Sequence, residues 1–263
     1  MGDEIELENA GDKVYFRGPA TNARAQTTTS FHHFEIKTGK VAASGNVMSL
    51  MGNATELTFK YQLAKLFTDC SALTSAPELP ALEVSESCYE NMFQNCNGLI
   101  SPPSTLPATA AAVKCYYAMF YGCSSLIEMP ELPATTLREE CYYNMFRNCT
   151  SLTTVHELPA RTVETSCYER MFQGCSSLTA SPHIKITTMN PTNTKAMNFM
   201  FYGCTSISSI KMDWTGNFST STTSSTANWV GGNVGSTGTF YYNGSSTARG
   251  THAIPRGWTI VPF

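Results

Sequence analysis

Charged side chains are scarce in this chain, and their scarcity excludes several classes of protein before any motif is considered. Only 14% of the 263 residues are charged, and the formal net charge is −3. Binding of nucleic acid requires a clustered Lys and Arg surface, which this sequence lacks, so we expect no nucleic acid partner. No apolar run approaches the roughly 20 residues that span a bilayer, so we expect no membrane span in this chain.

The motifs of common catalytic and metal sites are missing as well. The sequence has no CxxC pair for zinc, no glycine-rich phosphate loop and no GxSxG nucleophile motif. The five histidines are scattered along the chain, at His32, His33, His156, His183 and His252. We therefore predict a protein that is not an enzyme and that needs no metal and no cofactor.

What the sequence does contain is a repeat. A nine-residue phrase that begins and ends with cysteine occurs four times, at Cys88–Cys96, Cys115–Cys123, Cys141–Cys149 and Cys167–Cys175. Looser copies end at Cys70 and Cys204, so the closing cysteines are 26, 27, 26, 26 and 29 residues apart. A fixed period of this length indicates a solenoid, because each unit is too small to bury its apolar face alone and must stack on its neighbours.

Within the cysteine phrase, apolar residues recur at helical spacing. Cys88, Met92 and Cys96 lie at i, i+4 and i+8, with Tyr89 and Phe93 beside them, which predicts a helix with one buried stripe. Two cysteines eight residues apart on a helix are separated by about 12 Å, too far for a disulfide. We therefore interpret the cysteines as small core side chains. Disulfides between neighbouring repeats, and metal or redox chemistry, are the alternatives.

The other half of each repeat predicts a short strand that ends at a proline. Leu73–Ala81, Leu126–Ala134 and Leu152–Ala160 each begin with leucine and end in Leu-Pro-Ala. Proline cannot continue a ladder of hydrogen bonds, so it ends the strand. The 27-residue repeat carries its extra residue in this half, within Leu99–Ala108. Stacked repeats would then place short parallel strands on one face and helices on the other.

Both ends of the chain differ from the repeats, as the capping units of a solenoid must. Phe31–Ile36 and Lys40–Ala43 predict a β-hairpin, and two short strands are predicted near the C-terminus, with Trp229 and Trp258 as packing anchors. We expect an N-terminal β cap at residues 1–57, a solenoid of about six units at 58–212 and a C-terminal β cap at 213–263.

The phrase CYxxMFxxCxSL, followed by LPA, resembles the BspA-like leucine-rich-repeat surface proteins of Bacteroides-type bacteria. Segments outside the repeats, at Asp12–Gly18, Thr38–Met51 and Asn228–Ile260, are similar to that family too. The resemblance implies an α/β leucine-rich-repeat solenoid at the cell surface or in the extracellular space, tied to adhesion or host contact. It carries over no catalytic residue. The first twelve residues lack the positive region and apolar core of a signal peptide, so the expected location rests on the resemblance.

One candidate binding surface lies on the strand side of such a solenoid. Aligning the repeats places Glu78, Thr105, Glu131, Glu157 and His183 in one row. This mildly acidic row suits a basic partner or a cation. The alternative is a solvated row that keeps the strands soluble.

The other candidate surface lies on the predicted helix side. The arrangement that buries the cysteines points Tyr117 and Tyr121 outward, with Tyr143, Arg147 and Tyr202 nearby. Exposed Tyr and Arg are frequent in binding hot spots. The alternative for these residues is packing between neighbouring repeats.

These observations predict a monomeric, non-enzymatic binding or adhesion module. It would recognise a host or microbial macromolecule, such as a host protein, a mucin or a glycan, over its repeat surface. The alternative function is that of a structural spacer, which presents other domains of a longer surface protein.

Overall fold

The strands of this protein are short, and they pair in parallel. The computed structural model describes residue 9 and residues 11–16, 33–189 and 195–263. Two pairs and one larger sheet are formed: β1 (Val41–Ala42) with β2 (Leu73–Ser75), β3 (Ala110–Ala111) with β4 (Thr136–Leu137), and β5 (Ala180–Ile184), β6 (Ser209–Met212), β7 (Thr239–Tyr241) and β8 (Thr259–Val261) in chain order. The one helix among the described residues is a 3-10 helix at Val47–Met51.

Single parallel bridges continue this pairing from coil to coil. They join residues one repeat apart, at Ser75 and Ser101, Thr105 and Glu131, Glu128 and Thr154, and Leu158 and Ile184. Each coil is therefore linked to the next by a short parallel ladder. The predicted repeat solenoid with short parallel strands is confirmed.

The predicted helices are wrong, because the cysteine phrases form chains of β-turns. In an α-helix every N–H would donate to the carbonyl four residues earlier. Here only alternate N–H groups bond within the segment, and they reach the carbonyl three residues earlier, as from Met92 to Tyr89 at 3.2 Å. The N–H groups between them cross to the next coil, as from Phe93 to Met119 at 2.9 Å. We call these segments turn ribbons, and they comprise residues 61–70, 85–96, 112–123, 138–149, 164–175 and 195–204.

The turn ribbon requires a left-handed backbone at every fourth residue. Ser87, Asn91 and Asn95 have φ of 55°, 54° and 58°. Asn adopts this region more readily than most residues with a side chain, and Gly adopts it freely. Because the ribbon repeats every four residues, it buries the i, i+4, i+8 stripe just as a helix does. The predicted stripe is confirmed, since Cys88, Met92 and all equivalent cysteines are fully buried.

Near the end of four successive ribbons Asn and Gly alternate for a steric reason, at Asn95, Gly122, Asn148 and Gly174. Gly122 has φ of 77°, and a Cβ on it would lie 2.5 Å from the Oδ1 atom of Asn95 in the preceding coil. Gly174 has the same relation to Asn148. Each glycine therefore leaves room for the amide of the neighbouring coil.

We expect Gly122→Ala to lower the free energy of unfolding by about 2 kcal/mol, from the left-handed backbone and the contact with Asn95 together. Gly39 is the matched control, because it has φ of 75° and no atom lies within 4 Å of the position that a Cβ would take. Gly39→Ala should lose only the backbone share, about 1 kcal/mol. Urea denaturation of both variants, and of Asn95→Ala alone and combined with Gly122→Ala, measures the contact as a coupling free energy. Equal losses for Gly39→Ala and Gly122→Ala would contradict the steric account.

The core is built from columns of identical side chains, because equivalent positions of successive coils lie directly above one another. One column contains seven phenylalanines, whose successive ring centroids are 5.1 to 5.7 Å apart: Phe34, Phe67, Phe93, Phe120, Phe146, Phe172 and Phe201. A second column contains four tyrosines, spaced by 5.6 to 6.0 Å: Tyr89, Tyr116, Tyr142 and Tyr168. Such stacking joins each coil to both neighbours.

All ten cysteines are buried free thiols, in keeping with their interpretation as core side chains. The closing cysteine of each ribbon also makes a hydrogen bond across coils. Its Sγ–H donates to a phenylalanine carbonyl of the preceding coil, as from Cys149 to Phe120 at 3.1 Å and from Cys123 to Phe93 at 3.0 Å. This contact gives a physical reason for a cysteine at the position.

The described residues on either side of the repeats continue the stack of coils. At the N-terminal end, β1 pairs in parallel with β2 of the first coil, so the predicted antiparallel hairpin is not formed by the described residues; Phe31 and His32 lie outside them. At the C-terminal end, β7 and β8 extend the sheet in parallel. Trp229 adds to the phenylalanine column at 6.1 Å from Phe201. The proposed division into two caps and a central solenoid stays a prediction.

Candidate functional site

The predicted row on the strand side begins with two exposed carboxylates. Glu78 and Glu131 lie on either side of the coil that contains Ser104. The Ser104 hydroxyl donates to Glu78 Oε2 at 3.1 Å, and the Glu131 backbone N–H donates to the Ser104 carbonyl at 3.0 Å. Thr105, the other member of the row in this coil, pairs with Glu131 in a parallel bridge. Among the described residues, no cationic side chain is within ion-pair distance of either carboxylate.

The far end of the same row is neutralised by its neighbours. Lys185 Nζ is 3.3 Å from Glu157 Oε2, and His183 Nδ1 is 3.9 Å from the same oxygen. The other ring nitrogen of His183, Nε2, is 2.6 Å from Asp213 Oδ1. Uncompensated negative charge in the row is therefore confined to Glu78 and Glu131.

A groove opens beside these carboxylates, between the coils at residues 99–106 and 126–132. It has a volume of about 270 Å³ and contains Pro102 and Pro103 in one wall. Neither proline has an N–H to donate, and this coil holds the extra residue of the 27-residue repeat. Pairing of the two coils resumes only at the bridge between Thr105 and Glu131. The double proline therefore leaves this part of the two coils without backbone pairing.

The groove combines an apolar wall with an acidic rim. Ile100 and Ile127 are 45% and 48% exposed, although they are large apolar side chains. Glu128 and Glu131 line the same groove, and Glu128 Oε1 is 3.2 Å from His156 Nε2. The arrangement can hold a ligand that has both an apolar group and a positive charge.

The sequence hypotheses did not include Ile100 or Ile127. A signal was present, because the equivalent position holds threonine in other repeats, at Thr74, Thr153 and Thr179. Two isoleucines at a position that is otherwise polar, next to a double proline, mark the irregular coil. A single exposed apolar residue is ordinary on a protein surface. The signal is that two isoleucines occur at the same position of neighbouring repeats.

The tyrosines of the second candidate surface are engaged with neighbouring coils. Tyr117 and Tyr143 stack nearly parallel with ring centroids 4.9 Å apart, and burial raises the pKa of Tyr117 to about 12. The Arg147 guanidinium carbon is 5.5 Å from the ring centroid of Tyr121. Tyr202 is 37% exposed. This geometry favours packing between repeats for the stacked pair, and Tyr202 is the exposed tyrosine of the set.

The geometry of the described residues provides neither a metal centre nor a membrane-spanning helix. Within the part of the chain that the structure describes, no group of three or more His, Cys, Asp or Glu side chains could hold a metal ion. No helix in the same residues has the length and apolar character to cross a membrane.

Comparison with known proteins places the repeats in a sequence family. The profile described as "BspA type Leucine rich repeat region" matches the chain in six copies, at residues 53–179 and 86–227. Together the two stretches run from residue 53 to residue 227, which is more than half of the chain. No curated protein and no solved structure matched the chain in the same comparisons.

Proposed function

This chain belongs to the BspA-type leucine-rich repeat proteins, and from that premise we propose that it is a non-enzymatic adhesion module at the cell surface or outside the cell. Repeats of this family are typical of surface-associated proteins that bind other proteins. A solenoid suits this role because stacked coils present an extended, regular surface. The partner class that we favour is a host or microbial protein.

The observation that carries the proposal is the exposed isoleucine pair in the groove. Ile100 and Ile127 leave apolar surface in water at the one described place where a double proline interrupts the ladder. Covering the exposed part of such a side chain stabilises a complex at roughly 25 cal/mol per Å² of apolar area. A structural spacer has no need for exposed apolar side chains at a position that is polar in other repeats.

The rim of the groove defines the chemistry of its occupant. Glu131 has no cationic partner among the described residues, and the same holds for Glu78, which lies two coils away. We propose that the occupant is an extended segment of a partner protein, with an apolar side chain against the isoleucines and Lys or Arg at the rim. Charge complementarity of this kind increases the rate of association and selects among partners.

A binding screen followed by variants tests this proposal. The purified chain is screened against extracellular-matrix proteins, mucins and a glycan array, and each saturable interaction is measured with Ile127→Ser and Glu131→Gln. We expect Ile127→Ser to weaken protein binding about tenfold or more, the effect of losing one well-packed apolar contact. The matched control is Thr153→Ser, at the same position of the next repeat, which should leave affinity unchanged.

Other outcomes assign the function elsewhere. Loss of binding with Arg147→Gln or Tyr202→Ala, but not with Ile127→Ser, would move the site to the turn-ribbon side. Equal effects of Ile127→Ser and Thr153→Ser would contradict a site in the groove. A folded chain that binds nothing in the screen would favour the spacer function.

A further inference from the structure

A second and larger cavity lies near the C-terminal end of the stack, and it shares no residue with the groove. Its volume is about 590 Å³, within the range of small-molecule sites. Residues 230–236 form one wall, and Arg249, His252 and Arg256 contribute to another. The proposed protein-binding function does not use this cavity.

The cavity lies in a part of the chain without acidic side chains. All 20 Asp and Glu residues occur at or before Asp213, so residues 214–263 contain none. Among the described residues, Arg249 and Arg256 have no carboxylate within ion-pair distance. The positive charges of two lining arginines are therefore uncompensated, although the chain as a whole has a formal net charge of −3; Arg249 Nη1 donates only to the Ala248 carbonyl, at 3.4 Å.

Several neutral groups of the residues that line the cavity are available as hydrogen-bond donors. The backbone N–H of Asn228 donates to His252 Nδ1 at 2.7 Å, so the neutral ring carries its proton on Nε2 and offers a donor there. Across the cavity, none of the backbone N–H groups of residues 232–236 donates to an acceptor in the described residues. Unpaired backbone N–H groups beside two arginines without a carboxylate partner favour an anion.

Neighbouring side chains hold both walls in place. Trp258 Nε1–H donates to the Gly235 carbonyl at 2.8 Å. On the other side, the hydroxyl of Thr226 donates to the His252 carbonyl at 2.7 Å, and Trp229 Nε1–H donates to the Ala253 carbonyl at 2.7 Å. Because these bonds hold the segments in place, little ordering is required when a ligand binds.

We propose that this cavity binds an acidic saccharide, whose carboxylate or sulfate group is held by Arg249 and Arg256. With a volume of about 590 Å³, the cavity is large enough for a saccharide as well as for an inorganic anion. Hydroxyl-bearing side chains of Thr220, Ser236 and Thr251 also line the cavity. They match the hydroxyl groups of a sugar ring, while the arginines match its acidic substituent.

Calorimetric titration of the full chain with four probes tests the proposal: 3′-sialyllactose, 3′-sulfolactose, lactose and sodium sulfate. We expect both acidic sugars to bind at least tenfold more tightly than lactose and than sulfate, with an affinity that falls as salt rises. The comparison of the two acidic sugars identifies the preferred acidic group. Comparable affinity for lactose would overturn the anionic part of the proposal, comparable affinity for sulfate would overturn the saccharide part, and no binding of any probe would overturn both.

Arginine variants then locate the site. Arg256→Gln should weaken binding of the acidic sugar about tenfold or more, the scale of one charge-assisted hydrogen bond, and Arg256→Lys should weaken it less. The control is Arg138→Gln, because Arg138 is an exposed arginine that pairs with Glu164 in a different coil; it should have no effect. Ile127→Ser should also have no effect, which keeps this test independent of the groove. Equal affinities for Arg256→Gln and Arg138→Gln would overturn the assignment.

Discussion

Raising the pH from 8 to 10.5 is expected to unfold this protein. Burial raises the pKa of nine of its ten thiols above the ordinary value of 9.0: Cys70, Cys88, Cys96, Cys115, Cys123, Cys141, Cys149, Cys175 and Cys204. The pKa of Cys70 rises to about 11 and that of Cys204 to about 12. A thiol in the core therefore stays protonated at a pH where the same thiol in the unfolded chain has ionised.

The direction of the effect follows from proton binding. Well below pH 9 both states hold these protons and stability is constant. Above pH 9 the unfolded state loses protons that the folded state keeps, so stability falls as the pH rises toward the folded pKa values. Each such thiol contributes about 1.4 kcal/mol per pH unit, so nine together exceed an ordinary stability of about 5–15 kcal/mol within one to two units.

The slope of stability against pH is the measurement that tests this account. Urea denaturation between pH 7 and pH 10, with a reductant present, should give a flat region followed by a steep fall. Cys175→Ala lowers stability at every pH, because it leaves a cavity, but it should also reduce the slope above pH 9 by about 1.4 kcal/mol per unit. A slope near zero between pH 9 and pH 10 would mean that the thiols ionise in the folded state.

The repeat and its buried stripe could be predicted because they depend on spacing alone. Cys88, Met92 and Cys96 recur every four residues, and any backbone that repeats every four residues buries them on one side. Spacing does not distinguish an α-helix of 3.6 residues per turn from a ribbon of four-residue turns. The sequence therefore predicted the buried residues correctly and the backbone conformation incorrectly.

A discriminating signal was present but incomplete. Ser87, Asn91 and Asn95 are residue types that favour turns, and they occupy every left-handed position of their ribbon. In other ribbons the same positions hold Lys114 and Glu140, at φ of 54° in both cases, and neither residue type favours that backbone. Hydrogen bonds to the neighbouring coil stabilise these residues there, and such contacts are not visible in one repeat read by itself.

Part of the candidate site could also be predicted, because it depends on the spacing of the repeats. Aligning repeats correctly brought Glu78, Thr105 and Glu131 to neighbouring coils. The alignment could not show that coils stacked this closely place Tyr117 directly on Tyr143. It also could not show that Pro102 and Pro103 interrupt pairing with the next coil. That effect depends on which backbone N–H groups of one coil donate to the next, and a sequence alignment does not give this.

Removing one ring from the phenylalanine column is expected to destabilise the protein more than truncation of any exposed apolar side chain. Phe146 is fully buried and stacks on Phe120 at 5.5 Å and on Phe172 at 5.6 Å. Phe146→Ala should lower the free energy of unfolding by about 3–5 kcal/mol, from lost burial and the cavity that remains. Since each coil of a solenoid contacts only its neighbours, the cavity weakens two interfaces at once.

Ile127→Ala is the matched control, because Ile127 is of similar apolar character and lies in the adjacent coil but is 48% exposed. We expect it to lower the free energy of unfolding by less than about 1 kcal/mol. Phe146→Leu, which refills most of the space without a ring, should fall between the two variants. Should Phe146→Ala lose no more stability than Ile127→Ala, the column would not be what joins the coils, and the inter-coil hydrogen bonds of the turn ribbons would have to supply the cohesion instead.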